Sequence, residues 1–145
     1  MKWQNLTESE AAALPEARLG GDLLVVLLLA ALLFVLELAG WLFALDRLLG
    51  IGSRYTVAVS FAGLLSLVFV VMTLLRLRQT PVIVCAGLVV WILYRGGVAV
   101  SYGAVAHWPL FVDMTGELIL ATGFCAYMAT GLRPNAYYRR RIRAL

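Results

Sequence analysis

Residues 92–103 read ILYRGGVAVSYG, an arginine and a glycine pair inside a run that is otherwise almost wholly apolar. A helix that began at Pro81 and stopped at Tyr94 would be only about 21 Å long at 1.5 Å per residue. That falls short of the roughly 30 Å hydrocarbon core of a bilayer. It would also leave GGVAVSYGAVA as an outer loop with hardly a polar side chain. Continuation to Val105 gives a helix of membrane-crossing length, with Arg95 past its midpoint. Gly96 and Gly97 then follow as a kink or a point of close contact. The longer helix is the better reading, and it puts a charge inside the membrane.

The rest of the chain supports such a helix. Of 145 residues, 63% are apolar and 14% charged, against about half and about a quarter in an average soluble domain. The apolar excess falls in blocks of about 20 residues, the length that spans a bilayer as a helix. The blocks are Gly21–Leu45, Tyr55–Leu75, Pro81–Val105 and Pro109–Leu132. Backbone groups in lipid must find partners within their own segment, so these are helices and not strands. The expected fold is an all-α integral membrane protein, an antiparallel bundle of four transmembrane helices over residues 21–132. Residues 1–20 form a cytoplasmic N-terminal segment, in which Thr7-x-x-Glu10 fits a capping box that starts a short helix before Pro15. Residues 133–145 form a basic cytoplasmic tail. The first span lies behind a polar stretch without a convincing cleavage site, so it is expected to serve as its own anchor.

Basic residues set the orientation. Four spans place the N-terminus, the second loop and the C-terminus on one side. That side then carries Lys2, Arg18, Arg76, Arg78, Arg133, Arg139, Arg140, Arg141 and Arg143, nine of the twelve basic residues. The positive-inside rule puts it in the cytoplasm, and the expected location is a bacterial inner membrane with both termini inside.

An arginine at a helix centre costs about 2.5–3.5 kcal/mol on insertion scales, so Arg95 needs a partner or water. Counted along each helix from the cytoplasmic edge, Arg95 lies about 21 Å deep, and Glu37 and Glu117 each about 24 Å. Ser60 on the second span falls near the same level. The expectation is a polar layer of Glu37, Arg95, Glu117 and Ser60. Because Cβ atoms tilt toward a helix N-terminus, Glu37–Arg95 is the preferred direct pair. Glu117 is then a second partner, or shares an outer site with Asp113. His107 sits in the turn above, beside Trp108, which suits an interfacial anchor.

The fourth span repeats Thr-Gly at Thr115-Gly116, Thr122-Gly123 and Thr130-Gly131. The spacing keeps the pairs on one helix face, where small residues let another helix approach. Packing within the bundle is the expected use. Arg139, Arg140, Arg141 and Arg143 of the tail suit anionic lipid, at about 1 kcal/mol per basic group, or docking onto an acidic partner. The basic run is short and juxtamembrane, so nucleic acid is not the expected partner. Cys85 and Cys125 read as small packing residues. A single histidine and the absence of ligand spacing give no metal centre and no bis-histidine haem, and no cofactor is expected. Nucleotide loops and nucleophile motifs are absent as well.

The function expected from these features is a non-catalytic accessory or assembly subunit, packed against a larger membrane complex or against itself. The alternative is a small proton-coupled transporter or channel that uses Glu37 and Glu117. A membrane enzyme built from Glu117, Asp113 and His107 has less behind it. In size and in the glutamate of its first span the chain resembles the small multidrug transporters in outline. It departs from them in its polar N-terminus, its basic tail and Arg95.

Overall fold

The computed structural model describes residues 3–43, 53–101 and 108–143. In chain order the elements are β1 (Trp3–Asn5), α1 (Glu8–Ala13), a 3-10 turn (Pro15–Ala17), α2 (Gly21–Phe43), α3 (Ser53–Leu74), α4 (Thr80–Ser101), α5 (Trp108–Thr130), α6 (Leu132–Arg139) and β2 (Arg141–Arg143). The four long helices coincide with the four apolar blocks of the sequence. Helix α4 runs unbroken through Arg95, Gly96 and Gly97, which places the arginine inside a helix.

Two helical segments, Pro15–Phe43 and Thr80–Gly97, are long and apolar enough to cross a membrane, and Ser60–Leu74 is a shorter apolar stretch. Little of either long segment is buried within the chain, unlike the core helix of a water-soluble fold. On α2 only Leu23 and Leu27 are buried, while Val25, Leu28, Leu29, Leu32, Val35 and Leu36 stand exposed. Apolar side chains around most of a helix circumference suit a helix that could cross a membrane.

The long helices pack in sequence order, α2 along α3, α3 along α4 and α4 along α5. They alternate in direction. One cluster brings Leu23 and Leu27 from the start of α2 to Phe69 near the end of α3, Val84 near the start of α4 and Met128 near the end of α5. Phe69 and Phe124 meet edge to face at 5.4 Å in the same region. The cluster is closed by Tyr137 and Tyr138 of α6, so the core sits at the end of the helices that carries both termini.

The N-terminal segment and the basic tail fold together over one end of the helices. Gly131 caps α6, and Pro134 falls in its first turn, where the missing N–H is an orphan in any case. Pro134, Asn135, Ala136, Tyr137 and Tyr138 are all buried. Helix α6 ends in a left-handed residue, Arg140, and the chain continues as β2, which pairs antiparallel with β1 in the register Trp3–Arg143, Gln4–Ile142 and Asn5–Arg141. A sheet of two short strands thus stands where an all-α fold was expected, and a bond from Leu6 N–H to the Arg140 carbonyl at 2.7 Å extends it. The capping box is present: Thr7 N–H donates to Glu10 Oε2 at 2.8 Å and Glu10 N–H to Thr7 Oγ1 at 3.4 Å. The Thr7 hydroxyl also donates to Glu10 Oε2 at 2.7 Å, and this bond, followed by that from the Thr7 N–H, holds the Glu10 carboxyl below the usual glutamate range.

Gly21 opens α2 at a φ of +54°, and a Cβ there would collide with the Arg133 guanidinium. Only glycine suits both demands, and the contact ties the start of α2 to the first turn of α6.

Candidate functional site

Two polar regions stand out. The first lies along the long helices and contains the residues of the expected layer. Arg95 of α4 pairs with Glu117 of α5: Nε is 3.1 Å from Oε2 and Nη2 3.4 Å from Oε1. The geometry is a two-point fork, the strongest form of this contact. It corrects the preference for Glu37. Helix α4 packs against α3 and α5, and α2 packs against α3. Glu37 accordingly faces α3, where its carboxylate lies directly against Gly63. One of its oxygens, Oε2, is buried without a hydrogen-bond partner among the described residues. Ser60 does not join the pair either, because its hydroxyl donates to the Thr56 carbonyl of its own helix at 2.7 Å. Depth along each helix is similar for all of these groups, but lateral order divides them between two interfaces.

The glycines divide the same way. A Cβ at Gly63 would run into Glu37, and one at Gly87 into Leu65. At Gly96, Gly97, Gly116 and Gly123 a Cβ would meet nothing. The Thr-Gly face of α5 was expected to pack within the bundle. Among the described residues it is instead open at Gly116 and Gly123, and Thr115, Thr122 and Gly123 are exposed. Gly63 and Gly87, which do mediate close helix contacts, were missed by sequence reasoning. The available signal was a glycine near the depth of a glutamate on the neighbouring helix.

The second region lies at the terminal end, between α3, α6 and the N-terminal segment. Thr73, fully buried, shares a bond of 2.7 Å between its hydroxyl and that of Tyr138, and its carbonyl accepts from the Tyr137 hydroxyl at 3.0 Å. Burial pushes both phenols above their usual range. Arg76 ends α3 in the left-handed conformation, φ 54°. The bonds from Leu77 N–H to the Met72 carbonyl and from Arg76 N–H to the Thr73 carbonyl form the pattern in which glycine is usual. The arginine is held there by its side chain. It donates to the Ala17 carbonyl at 2.6 Å and the Tyr137 carbonyl at 3.3 Å, and lies 4.8 Å over the Tyr137 ring.

Asn135, also fully buried, organises the tail. Its Nδ2 donates to the carbonyls of Ala129 at 3.1 Å and Gly131 at 2.8 Å. Its Oδ1 accepts from Arg139 at 3.3 Å and Arg141 at 2.8 Å. Arg141 also lies over the Trp3 ring at 4.8 Å. Two of the arginines expected to meet lipid or a partner, Arg139 and Arg141, are thus held in place by Asn135, while Arg140 is exposed. Burial first, and then the charge of Arg141, hold the Arg139 guanidinium below the usual arginine range. The strand β2 includes the backbone of Arg143, whose side chain lies outside the described residues, as do His107 and the side chain of Asp113.

Cys85 of α4 and Cys125 of α5 are free thiols, each partly buried. Among the described residues, no three histidine, cysteine, aspartate or glutamate side chains converge as a metal site requires. No protein-family model, curated protein or solved structure matches this chain.

Proposed function

We propose that the chain is a small four-span membrane protein, an antiparallel bundle with both termini in the cytoplasm of a bacterial cell. In this reading it is a non-catalytic accessory or assembly subunit that packs against a larger membrane complex or against a second copy. The observation that carries it is the open Thr-Gly face of α5, where a Cβ at Gly116 or Gly123 would meet nothing within 4 Å among the described residues. Small residues on a lipid-immersed helix are suited to close helix contact. The four-span topology is supported by the pairing of β1 with β2, since termini that meet require an even number of crossings. The fork between Arg95 and Glu117 suits a clasp that fixes α4 against α5.

A second reading has one observation of its own. The Glu37 oxygen that lacks a partner, at the interface of α2 and α3, suits a carrier that binds a proton or cation there, and Glu117 is less suited because Arg95 occupies it. One comparison separates the readings. The purified protein is reconstituted alone, and pH-dependent flux is measured for wild type and Glu37→Gln. The subunit reading expects no flux, together with a defined co-purifying membrane partner or dimer that Gly116→Leu and Gly123→Leu abolish without loss of expression. Proton-linked flux that Glu37→Gln removes would overturn it in favour of the carrier.

A further inference from the structure

The terminal end gathers positive charge in a fixed arrangement. Arg139 from the last turn of α6 and Arg141 from β2 share one neutral acceptor, the Oδ1 of Asn135, at 3.3 Å and 2.8 Å. The amide cannot turn away, because its Nδ2 is committed to the Ala129 and Gly131 carbonyls. Arg141 is held further by the Trp3 ring, on a strand that is paired to its own. Arg78, exposed in the turn between α3 and α4, follows two residues after Arg76, whose guanidinium donates to the carbonyl of Tyr137, itself two residues before Arg139, at 3.3 Å. Among the described residues no carboxylate bridges any of the three.

Like charges brought together in this way repel unless an anion lies between them. Arg139 and Arg141 each spend a single N–H on Asn135, and among the described residues their other N–H groups remain for the planar fork that matches phosphate oxygens. A flexible basic tail would provide charge alone, whereas a buried asparagine, a ring and a strand pair fix where these guanidinium groups stand. We infer that Arg78, Arg139 and Arg141 form a binding site for a phosphate group at the terminal end of the helices. The exposed apolar residues Val82 and Ile83 at the start of α4 set this site beside the lipid-facing surface, at the level of phospholipid headgroups. The inference draws on the membrane reading only for the source of the phosphate. It stands apart from the subunit and carrier readings.

The test uses the full chain in neutral detergent and native mass spectrometry. Phosphatidylglycerol supplies the lipid phosphate, inorganic phosphate the free one, and diacylglycerol is the control without phosphate. Wild type is expected to retain one phosphate-bearing ligand and no diacylglycerol. Arg141→Gln and Arg78→Gln each weaken retention about fivefold. Arg18→Gln, which removes an exposed arginine near the same end, leaves it unchanged. Retention of phosphatidylglycerol alone identifies a headgroup site, and retention of inorganic phosphate identifies a soluble phosphate. The exposed Arg78 keeps the test readable should Arg141→Gln fail to fold. Failure of both phosphate probes, or an equal loss for Arg18→Gln, would overturn the site. Neither result bears on flux or on partner co-purification, so it can fail without those readings.

Discussion

The two ends of the molecule are held by different physics. At the terminal end, α6, β1, β2 and the 3-10 turn close over the helices with directional bonds to Thr73, Asn135 and the Ala17 carbonyl. Along the shafts, α2 to α5 pack in sequence order and keep broad exposed apolar faces, with polar contacts at Arg95–Glu117 and Glu37–Gly63. Where water competes, a hydrogen bond must be sheltered to count, and the buried side chains of the cap shelter theirs. On the proposed membrane reading, the apolar faces of the shafts need no cover, and stabilisation comes from close packing and from the few polar groups.

The largest test of this contrast is Arg95→Leu. Removal of one partner from a sheltered ion pair is expected to cost about 3–5 kcal/mol, read as a lowered unfolding midpoint in detergent. Addition of Glu117→Leu should restore much of the loss, whereas addition of Glu37→Gln should restore none, because Glu37 faces α3. A double-mutant cycle distinguishes the two partners. Coupling to Glu37 in place of Glu117 would break the lateral order of the helices.

This partner choice marks the limit of what the residues reveal by themselves. Apolar block length located all the long helices, and the argument that a helix stopping at Tyr94 is too short placed Arg95 correctly inside α4. Local chemistry was legible too, as Thr7 and Glu10 show. Depth along a helix follows from counting, but which helix stands beside which does not. Glu37 and Glu117 therefore looked equivalent by depth, and side-chain tilt broke the tie in the wrong direction. The cap was missed for a different reason. Its arginines dominate the pattern, yet the stretch from Pro134 to Tyr138 carries no charge between Arg133 and Arg139. That uncharged interval with two tyrosines was the signal of burial.

A finer test compares two glycines of the shafts. At Gly63 an added methyl must displace the Glu37 carboxylate, so Gly63→Ala should destabilise by about 1–2 kcal/mol. Glu37→Ala in the same chain should relieve most of that cost. At Gly123 the methyl enters open space, and Gly123→Ala should leave the chain as stable or gain about 0.5–1 kcal/mol from helix propensity. Equal effects at the two sites, measured by thermal unfolding in detergent, would remove the distinction between the packed and the open face.

The smallest effect isolates the cap from the shafts. Tyr137 and Tyr138 are buried with their hydroxyls on Thr73, and burial raises both phenols above their usual range. A phenol whose folded value exceeds its unfolded value of about 10 contributes full stability below that pH. The contribution is lost as pH rises above it, because the unfolded chain ionises first. Alkaline titration should therefore release the cap, seen as a loss of near-ultraviolet dichroism, while the far-ultraviolet signal of the long helices persists. Tyr138→Phe should cost about 1 kcal/mol at neutral pH through the lost bond to Thr73. It should also blunt the alkaline transition, and Tyr137→Phe added to it should blunt the transition further. An alkaline transition unchanged in the doubly substituted chain would mean that other groups hold the cap closed. Simultaneous loss of both signals would mean that cap and shafts unfold as one unit, and the two ends would no longer be separable.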